Sequence, residues 1–202
     1  MKYIKTFEEK VVTRLVFSNK DLTTLSELPN TLKRLDCENN QLTTLPELPN
    51  TLKKLYCYNN QLTSLPELPK SLTRLDCYEN QLTTLPELPK SLIQLWCHKN
   101  QLTTLPELPD SLKELWCSNN QLTSLPELPK SLTNYLWCSN NQLTSLPELP
   151  KSLKELSCFK NQLPYNNLDE YKEWVINNQE LIKNYGWVEA HKISYKMKKY
   201  NI

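Results

Sequence analysis

The sequence predicts a solenoid of parallel β-strands, because one twenty-residue pattern recurs along most of the chain's 202 residues. In its clearest copy, residues 72–91 read LTRLDCYENQLTTLPELPKS. Leucine, cysteine and asparagine occupy fixed positions in the form L-x-x-L-x-C-x-x-N-x-L-x-x-L. A constant period of this length is typical of arrays in which each repeat packs only on its neighbours. We expect an N-terminal cap at 1–11, eight repeats at 12–163 of which the first and last are atypical, and a helical C-terminal cap at 164–202.

The segment x-x-Leu-x-Cys-x-x of each repeat alternates buried and exposed positions, which predicts a short strand with one solvated face. We expect these strands to form a parallel β-sheet on the concave face of the solenoid. An asparagine follows each strand, and its side-chain amide can bond backbone groups that the turn leaves unpaired. These asparagines are Asn40, Asn60, Asn80, Asn100, Asn120, Asn141 and Asn161.

The return path of each repeat contains Leu-Pro-x-Leu-Pro, and proline both fixes φ and lacks an amide donor. This segment predicts an extended or polyproline II convex face rather than helices. One glutamate per repeat, from Glu27 to Glu148, forms a column there, with a lysine three residues along in four repeats. We interpret this column as a solvated face of compensating charges; the alternative is an acidic binding stripe.

Departures from the pattern mark special positions in the array. Residues 1–11 do not fit it, and Tyr3, Ile4 and Phe7 are expected to cover the edge of the first repeat. The seventh repeat carries one extra residue near Thr133, which predicts a bulge at the entrance of its strand. We interpret the insertion as drift within a repeat array, with a functional bulge as the alternative.

The chain that follows Pro164 has apolar residues at helical spacing. An amphipathic helix is predicted over 168–185, with Asp169 as its N-cap and Gly186 as its stop. A second helix is expected over 187–200. The apolar stripe would cover the open end of the solenoid, as such arrays require.

Composition argues against several classes of partner and location. The 24 lysines and arginines nearly balance 22 acidic residues, so a net charge of +2 gives no reason to expect nucleic acid or an acidic membrane. The charged N-terminus leaves no room for a secretion signal. No segment approaches the roughly eighteen apolar residues of a membrane helix. Asn-x-Ser/Thr acceptor sites are also absent, and we expect a cytoplasmic protein.

Seven cysteines, from Cys37 to Cys158, occupy the same position in seven successive repeats. Side chains stacked in register run side by side rather than converging, which argues against disulfides. A single column also cannot close the tetrahedron of a zinc site. We interpret the thiols as buried apolar fillers, with redox or metal chemistry as the alternative.

The search for a catalytic centre finds only two histidines, His98 and His191. Strand alternation points Cys97 inward and His98 outward, so the two cannot act as nucleophile and base. His191 lies in a lysine-rich tail and is expected to be exposed. The sequence therefore predicts no catalytic, cofactor or metal site, and a protein that is not an enzyme.

The exposed strand positions vary while the scaffold positions stay constant, so they are the candidates for function. Trp96, Trp116 and Trp137 stack in adjacent repeats. The candidate partner-binding residues of the concave face are Tyr56, Tyr58, Asp76, Tyr78, Trp96, His98, Trp116 and Trp137. Exposed aromatic patches often mark contact sites; the alternative is that the rings stack for stability alone. A neighbouring column changes from basic at Arg34 to acidic at Glu155, which could orient a partner, unless it arose by chance.

These repeats, over about residues 12–163, resemble the short, twenty-residue Leu-Pro-x-Leu-Pro class of leucine-rich repeat found in bacterial effectors of the YopM and IpaH type. Cysteine before x-x-Asn departs from the usual aliphatic residue. The repeats also resemble those of proteins encoded by giant DNA viruses of amoebae. This resemblance is carried by that cysteine, by the segment Asn-Gln-Leu-Thr-Ser-Leu-Pro-Glu-Leu-Pro and by the many Lys, Asn and Tyr residues. IpaH-type effectors carry a ubiquitin-ligase domain after the repeats; about forty residues follow here, so that activity is not implied.

The sequence as a whole predicts a non-enzymatic protein-interaction module that binds a protein partner through its concave aromatic face. If the chain is viral or effector-like, the resemblance implies a host protein as partner and the host cytoplasm as location. The alternative is a structural or self-associating solenoid, a homodimer formed through a cap or the aromatic strip.

Overall fold

Eight parallel strands, each three residues long, form one sheet in chain order in this computed structural model, which describes residues 11–200. They are β1 (Arg14–Val16), β2 (Arg34–Asp36), β3 (Lys54–Tyr56), β4 (Arg74–Asp76), β5 (Gln94–Trp96), β6 (Glu114–Trp116), β7 (Tyr135–Trp137) and β8 (Glu155–Ser157). Each strand pairs with the same position of the next repeat, so Leu35 lies beside Leu55 and Leu55 beside Leu75. This confirms the predicted solenoid. Residues 1–10 of the predicted N-terminal cap, including Tyr3, Ile4 and Phe7, lie outside the described residues.

The core consists of stacked leucine and cysteine columns. The central leucine of β2 to β7 and the cysteines from Cys37 to Cys158 are almost completely buried. All seven cysteines are free, which confirms that they are buried thiols rather than disulfides. Burial raises the pKa of Cys37, Cys97 and Cys158 to about 12, and it raises the pKa of the other four thiols well above the ordinary value. The thiols therefore stay protonated and act as small apolar side chains.

The asparagine after each strand links neighbouring repeats. In the fourth strand's repeat, Asn80 Nδ2 donates to the carbonyl oxygens of Cys57 at 3.0 Å and Cys77 at 3.1 Å. Asn80 Oδ1 accepts from the amide of Leu62 at 2.9 Å. The same pattern recurs from Asn60 to Asn141. The predicted structural role of the asparagines is confirmed, and it extends across the repeat boundary.

The residue before each of these asparagines adopts the left-handed conformation, with φ near 50° throughout. The values are 55° at Asn39, 51° at Asn59, 52° at Glu79, 54° at Lys99, 55° at Asn119, 53° at Asn140 and 54° at Lys160. Asparagine tolerates this region better than most non-glycine residues. The Asn-Asn pairs of several repeats therefore combine a turn residue with a bonding residue.

The convex return path between successive strands holds neither helix nor strand in the described residues. It ends in a turn that the Pro49 carbonyl oxygen closes by accepting from the Leu52 amide at 2.9 Å, and later repeats do the same. The hydroxyl of Ser71 then donates to the carbonyl oxygens of Asn50 at 2.8 Å and Leu52 at 2.7 Å. The extended convex face thus needs no helices, because side chains of the next repeat bond its carbonyl groups.

The extra residue of the seventh repeat is accommodated at the strand entrance. In a regular repeat, the carbonyl oxygen of Lys53 accepts from both Thr73 and Arg74, at 2.8 and 3.2 Å. After the insertion, Lys154 bonds Thr133 and Glu155 bonds Asn134, each at 3.1 Å. Two carbonyl groups therefore accept the two hydrogen bonds that a single carbonyl accepts in a regular repeat. The strand register is restored at Tyr135.

Three helices follow the repeats: α1 (Leu168–Asn177), α2 (Gln179–Tyr185) and α3 (Trp187–Tyr200). The prediction of one helix over 168–185 was wrong, because the chain breaks at Asn178, whose φ is −117°. The N-cap is Asn167 rather than Asp169, since Asn167 Oδ1 accepts from the Glu170 amide at 3.0 Å. Gly186, with φ at 76°, ends α2 as predicted, and the second predicted helix is α3.

These helices cover the last repeat with aromatic side chains. Tyr165, Tyr171 and Trp174 are buried there, and Tyr171 Oη accepts from the Leu149 amide at 3.2 Å. The expectation that His191 is exposed was wrong, because α3 carries it into this cluster, where none of its surface is exposed. None of the helices in residues 11–200 combines the length and the apolar character needed to cross a membrane.

His191 is held by two hydrogen bonds. Its Nδ1 lies 2.7 Å from the Trp187 carbonyl oxygen, and its Nε2 lies 2.6 Å from Tyr165 Oη. Because a carbonyl only accepts, Nδ1 carries the proton and Nε2 accepts from the tyrosine. Burial lowers the pKa of His191 to about 4. The ring is therefore neutral at ordinary pH.

Candidate functional site

Two columns of side chains project from the concave face of the sheet, because alternate strand residues share a face. The first column, between the central leucine and the cysteine, is Val16, Asp36, Tyr56, Asp76, Trp96, Trp116, Trp137 and Ser157. The second column, two residues further along, is Ser18, Glu38, Tyr58, Tyr78, His98, Ser118, Ser139 and Phe159. Parallel pairing in register stacks the members of each column at the repeat spacing.

From Tyr56 to Trp137 the rings of the first column, with the Arg74 guanidinium inserted after Tyr56, form a continuous stack of flat groups. The rings of Trp96 and Trp116 lie 4.2 Å apart at 5°, and those of Trp116 and Trp137 lie 4.2 Å apart at 15°. The Arg74 guanidinium carbon lies 4.2 Å from the centre of the Trp96 ring and 5.2 Å from that of Tyr56. The tryptophans are half-buried by their neighbours rather than fully exposed, so a partner would meet ring edges more than ring faces.

Asp76 does not present an exposed carboxylate. Its side chain is 2% exposed and pairs with Arg74, whose Nη2 lies 2.9 Å from Asp76 Oδ2. Burial raises the pKa of Asp76, and the bond and charge of Arg74 oppose that rise. The expectation that Asp76 offers a direct contact is therefore corrected: it holds the Arg74 guanidinium between the rings of Tyr56 and Trp96.

The second column contains three stacked rings after Ser18 and Glu38. Tyr58 and Tyr78 lie 4.3 Å apart at 6°, and Tyr78 and His98 lie 4.3 Å apart at 11°. Burial lowers the pKa of His98 to about 4, so its imidazole is neutral at ordinary pH. Cys97 is buried beneath this surface while His98 lies on it, as strand alternation predicts.

Beyond His98 the second column becomes narrow and leaves a cavity, here called the slot. Ser118 and Ser139 occupy two successive repeats before Phe159 restores a ring. The slot has a volume of about 340 Å³ and is lined by His98, Trp116, Ser118, Asn119, Trp137, Ser139, Asn140, Glu155, Ser157 and Phe159. The sequence analysis did not predict the slot, because an open space depends on what neighbouring repeats leave unfilled. The available signal was two serines that interrupt the run of rings from Tyr58 to Phe159.

A chain of polar side chains runs beside the first column. Arg74 Nη1 donates to Gln94 Oε1 at 3.1 Å, and Gln94 Nε2 donates to Glu114 Oε2 at 2.7 Å. Asn134, in the inserted segment, donates to Glu114 Oε1 at 3.0 Å. The middle of the basic-to-acidic column, from Arg74 to Glu114, is thus a connected network, which fixes these side chains in one arrangement.

The indole N–H groups of the stack differ in their partners. Trp137 Nε1 donates to Glu155 Oε1 at 3.1 Å. Within the described chain, the Nε1 atoms of Trp96 and Trp116 are buried without a hydrogen-bond partner. Such donors are uncommon in folded proteins and each costs about 1–3 kcal/mol.

Within residues 11–200, no group of three or more His, Cys, Asp and Glu side chains comes together as metal ligands.

Comparison with known proteins places these columns in a known architecture. A family profile described as leucine-rich repeats in two copies matches residues 50–90, 90–130 and 110–150. The Shigella effector leucine-rich repeat domain is 35% identical, with a TM-score of 0.65, over 74% of this chain and 70% of that one. The chain belongs to the leucine-rich repeat family. No curated protein gave a significant match.

This leucine-rich repeat protein is also similar to two structures of YopM. YopM from Yersinia enterocolitica is 44% identical with a TM-score of 0.74, and YopM from Yersinia pestis is 42% identical with a TM-score of 0.70. The alignments cover 75% and 74% of this chain but only 34% and 43% of the YopM chains. The chain therefore spans well under half of the YopM length.

A further similarity concerns the cysteine column. InlJ from Listeria monocytogenes, 28% identical with a TM-score of 0.53 over 75% of this chain and 40% of that one, has a functional domain described as including a cysteine ladder. The one-cysteine-per-repeat arrangement of this leucine-rich repeat protein therefore has a structural parallel.

Proposed function

We propose that this leucine-rich repeat protein is a non-enzymatic interaction module that binds a protein partner through its concave aromatic face. The observation that carries the proposal is the pair of stacked columns, in which Tyr56, Trp96, Trp116 and Trp137 lie beside Tyr58, Tyr78 and His98. Aromatic side chains held rigidly on a surface are effective anchors, because little conformational entropy is lost when they are covered.

The unpaired indole donors support a role beyond stability. A stack selected only for packing would be expected to use rings without a polar atom, since burying Trp96 and Trp116 Nε1 without partners is unfavourable. Tryptophan is instead the residue type most enriched at the energetic centres of protein interfaces. The similarity to effector repeat domains is consistent with an interaction role.

The residues proposed to contact the partner are Tyr56, Tyr58, Tyr78, Trp96, His98, Trp116 and Trp137, with Asp76 supporting Arg74. The partner is proposed to be a host protein if the chain acts as an effector, and the location to be the host cytoplasm. Seven free, buried thiols are consistent with a reducing compartment.

The test compares variants that the scaffold itself shows to be acceptable. Ser157 occupies the first column and Ser118 the second, so Trp96→Ser with Trp137→Ser, and Tyr58→Ser with Tyr78→Ser, introduce a residue that the same columns already carry. In quantitative capture from a cell lysate, both of these concave double variants should fail to retain the same set of proteins that the unchanged chain retains. The convex control, Glu67→Ser with Glu87→Ser, should retain them. Capture that is unchanged in both concave variants, with the fold confirmed by circular dichroism, would eliminate the proposal.

A second candidate function is self-association through the C-terminal helices. Ile176, Tyr185, Val188 and Tyr200 are each more than half exposed there, and large exposed apolar side chains in one region favour contacts between molecules. Light scattering across a concentration series tests this candidate. A dimer abolished by Ile176→Lys with Val188→Lys would support it, and a monomer at every concentration would exclude it.

A further inference from the structure

The slot interrupts an otherwise regular stack. In the second column, rings follow one another at 4.3 Å from Tyr58 to Tyr78 to His98. The next two repeats contribute only serine hydroxyls before Phe159. The space that two further rings would fill is therefore open, with the half-buried His98 at one end and Phe159, 45% exposed, at the other. At about 340 Å³ it lies in the size range of binding pockets for single side chains and small ligands.

The chemistry of the lining is specific. The aromatic side chains of Trp116, Trp137, His98 and Phe159 line it, with the stacked indoles presenting mainly their edges, and its floor is serine and asparagine. The floor groups already bond one another: Ser139 N donates to Ser118 Oγ at 3.1 Å, and the hydroxyls of Ser139 and Ser157 lie 2.9 Å apart. A ligand would therefore be held mainly by contacts with the aromatic side chains and by the charge that the lining carries.

That charge is a single carboxylate. Among the lining residues Glu155 is the only acidic side chain, and none is a lysine or arginine. Glu155 accepts from Trp137 Nε1, and no cation of the described chain forms an ion pair with it. His98 is neutral because burial lowers its pKa to about 4. The slot thus combines several aromatic side chains with one carboxylate that has no ion-pair partner among the described residues.

The same molecule contains an occupied version of this arrangement two repeats away. The Arg74 guanidinium lies between the Tyr56 and Trp96 rings, at 5.2 and 4.2 Å from their centres. The carboxylate of Asp76 pairs with it at 2.9 Å. Guanidinium is flat, stacks on rings and binds carboxylates through a planar fork, which ammonium does not. Within this scaffold, two rings and a carboxylate already define an arginine position.

We propose that the slot between His98 and Phe159 binds an arginine side chain of the protein partner, stacked on the ring surfaces and paired with Glu155. This inference rests on the proposed partner-binding role of the concave face and names the side chain that the face recognises. A neutral aromatic side chain, which would continue the stack without using Glu155, is the competing occupant.

The test uses the full chain and three blocked tripeptides, acetyl-Gly-Arg-Gly-amide, acetyl-Gly-Lys-Gly-amide and acetyl-Gly-Tyr-Gly-amide. Titrations followed by the indole N–H signals of Trp116 and Trp137 in ¹H–¹⁵N NMR spectra report slot occupancy directly. We expect saturable shifts with the arginine peptide, at an affinity about fivefold or more above that of the lysine peptide. Glu155→Gln should weaken arginine binding by about fivefold, because the charged acceptor is lost while the side-chain shape remains.

Matched variants separate the slot from the rest of the face. Ser118→Tyr fills the slot with the residue that the same column carries at Tyr78, and it should abolish arginine binding. Glu67→Ser, an exposed change on the convex face, should leave it unchanged. Preferential binding of the tyrosine peptide, no saturable binding, or equal binding to Ser118→Tyr would each overturn the inference.

The outcome is distinguishable from failure of the proposed function. If lysate capture depends on the concave columns but the arginine peptide does not bind, only the arginine inference fails. If the peptide binds the slot but capture is independent of the concave residues, the interaction proposal fails and the slot remains an arginine site.

Discussion

At the residue scale, the asparagine after each strand is the side chain that joins neighbouring repeats through several hydrogen bonds to the backbone. Asn100 donates to the carbonyl oxygens of Cys77 and Cys97, both at 3.1 Å, and accepts from the Leu82 amide at 3.0 Å. Each of these backbone groups lies in a turn or strand end where the sheet supplies no other partner. The side chain therefore connects three points of two repeats.

Asn100→Ala should destabilise the fold by about 1–3 kcal/mol, because it leaves the buried Leu82 amide without an acceptor. Urea unfolding monitored by circular dichroism measures the loss. The neighbouring Gln101→Ala changes an exposed side chain and should alter stability by no more than about 0.5 kcal/mol. Equal effects of the two substitutions would show that the asparagine ladder contributes nothing specific.

At the element scale, the helices α1 to α3 act as a cover whose stability depends on a neutral histidine. His191 Nδ1 donates to the Trp187 carbonyl within α3, and Nε2 accepts from Tyr165 below. A second proton on the ring would force the Tyr165 hydroxyl to turn and accept from Nε2, which removes the acceptor of its own proton and places a charge on a fully buried ring. Protonation therefore opposes docking of α3 on the last repeat.

This arrangement predicts loss of stability in acid. The pKa of His191 falls from 6.5 to about 4 on folding, so the unfolded chain binds more protons in that interval. The contribution of neutral His191 to the free energy of unfolding is complete above pH 6.5 and declines as the pH falls toward 4. The pKa of His98 is also lowered to about 4, so His98 lowers the stability over the same pH interval. Urea unfolding should give the wild type a lower free energy of unfolding at about pH 5 than at about pH 7.5. This difference should be smaller in His191→Gln and smallest in the double variant that also carries His98→Ser. A double variant that keeps the full decrease would refute the assignment.

At the scale of the whole molecule, stability is distributed along a one-dimensional stack. Each repeat bonds only its neighbours through the strand register and the asparagine ladder, so the ends should open more readily than the middle. The seven thiols offer one reporter per repeat, since each is free and fully buried.

Thiol labelling should follow this gradient. No cysteine should react rapidly with an aromatic disulfide reagent in the native state, because burial both excludes the reagent and raises the thiol pKa. In mild denaturant, mass spectrometry should find Cys37 and Cys158, nearest the two ends, modified before Cys77 and Cys97. Simultaneous modification of all seven would indicate a single cooperative unit instead. Fast native labelling of a central thiol would contradict its burial.

The sequence by itself determined the array, because a fixed period requires that equivalent residues meet equivalent neighbours. Leu35, Cys37 and Asn40 return at the same position in later repeats, and this was enough to predict the strands, the buried thiols and the helix-free convex face. It was also enough to place Trp96, Trp116 and Trp137 on one surface, since strand alternation is local.

The tertiary structure alone decided what neighbouring repeats do to each other. The position of Arg74 between the Tyr56 and Trp96 rings, the half-burial of the tryptophans and the slot between His98 and Phe159 depend on side chains about twenty residues apart in the chain. The same holds for His191, whose environment comes from Tyr165 and the ring cluster rather than from its lysine-rich neighbours in sequence. Periodicity specifies which positions stack, but the free energy of each contact depends on the pair that meets there.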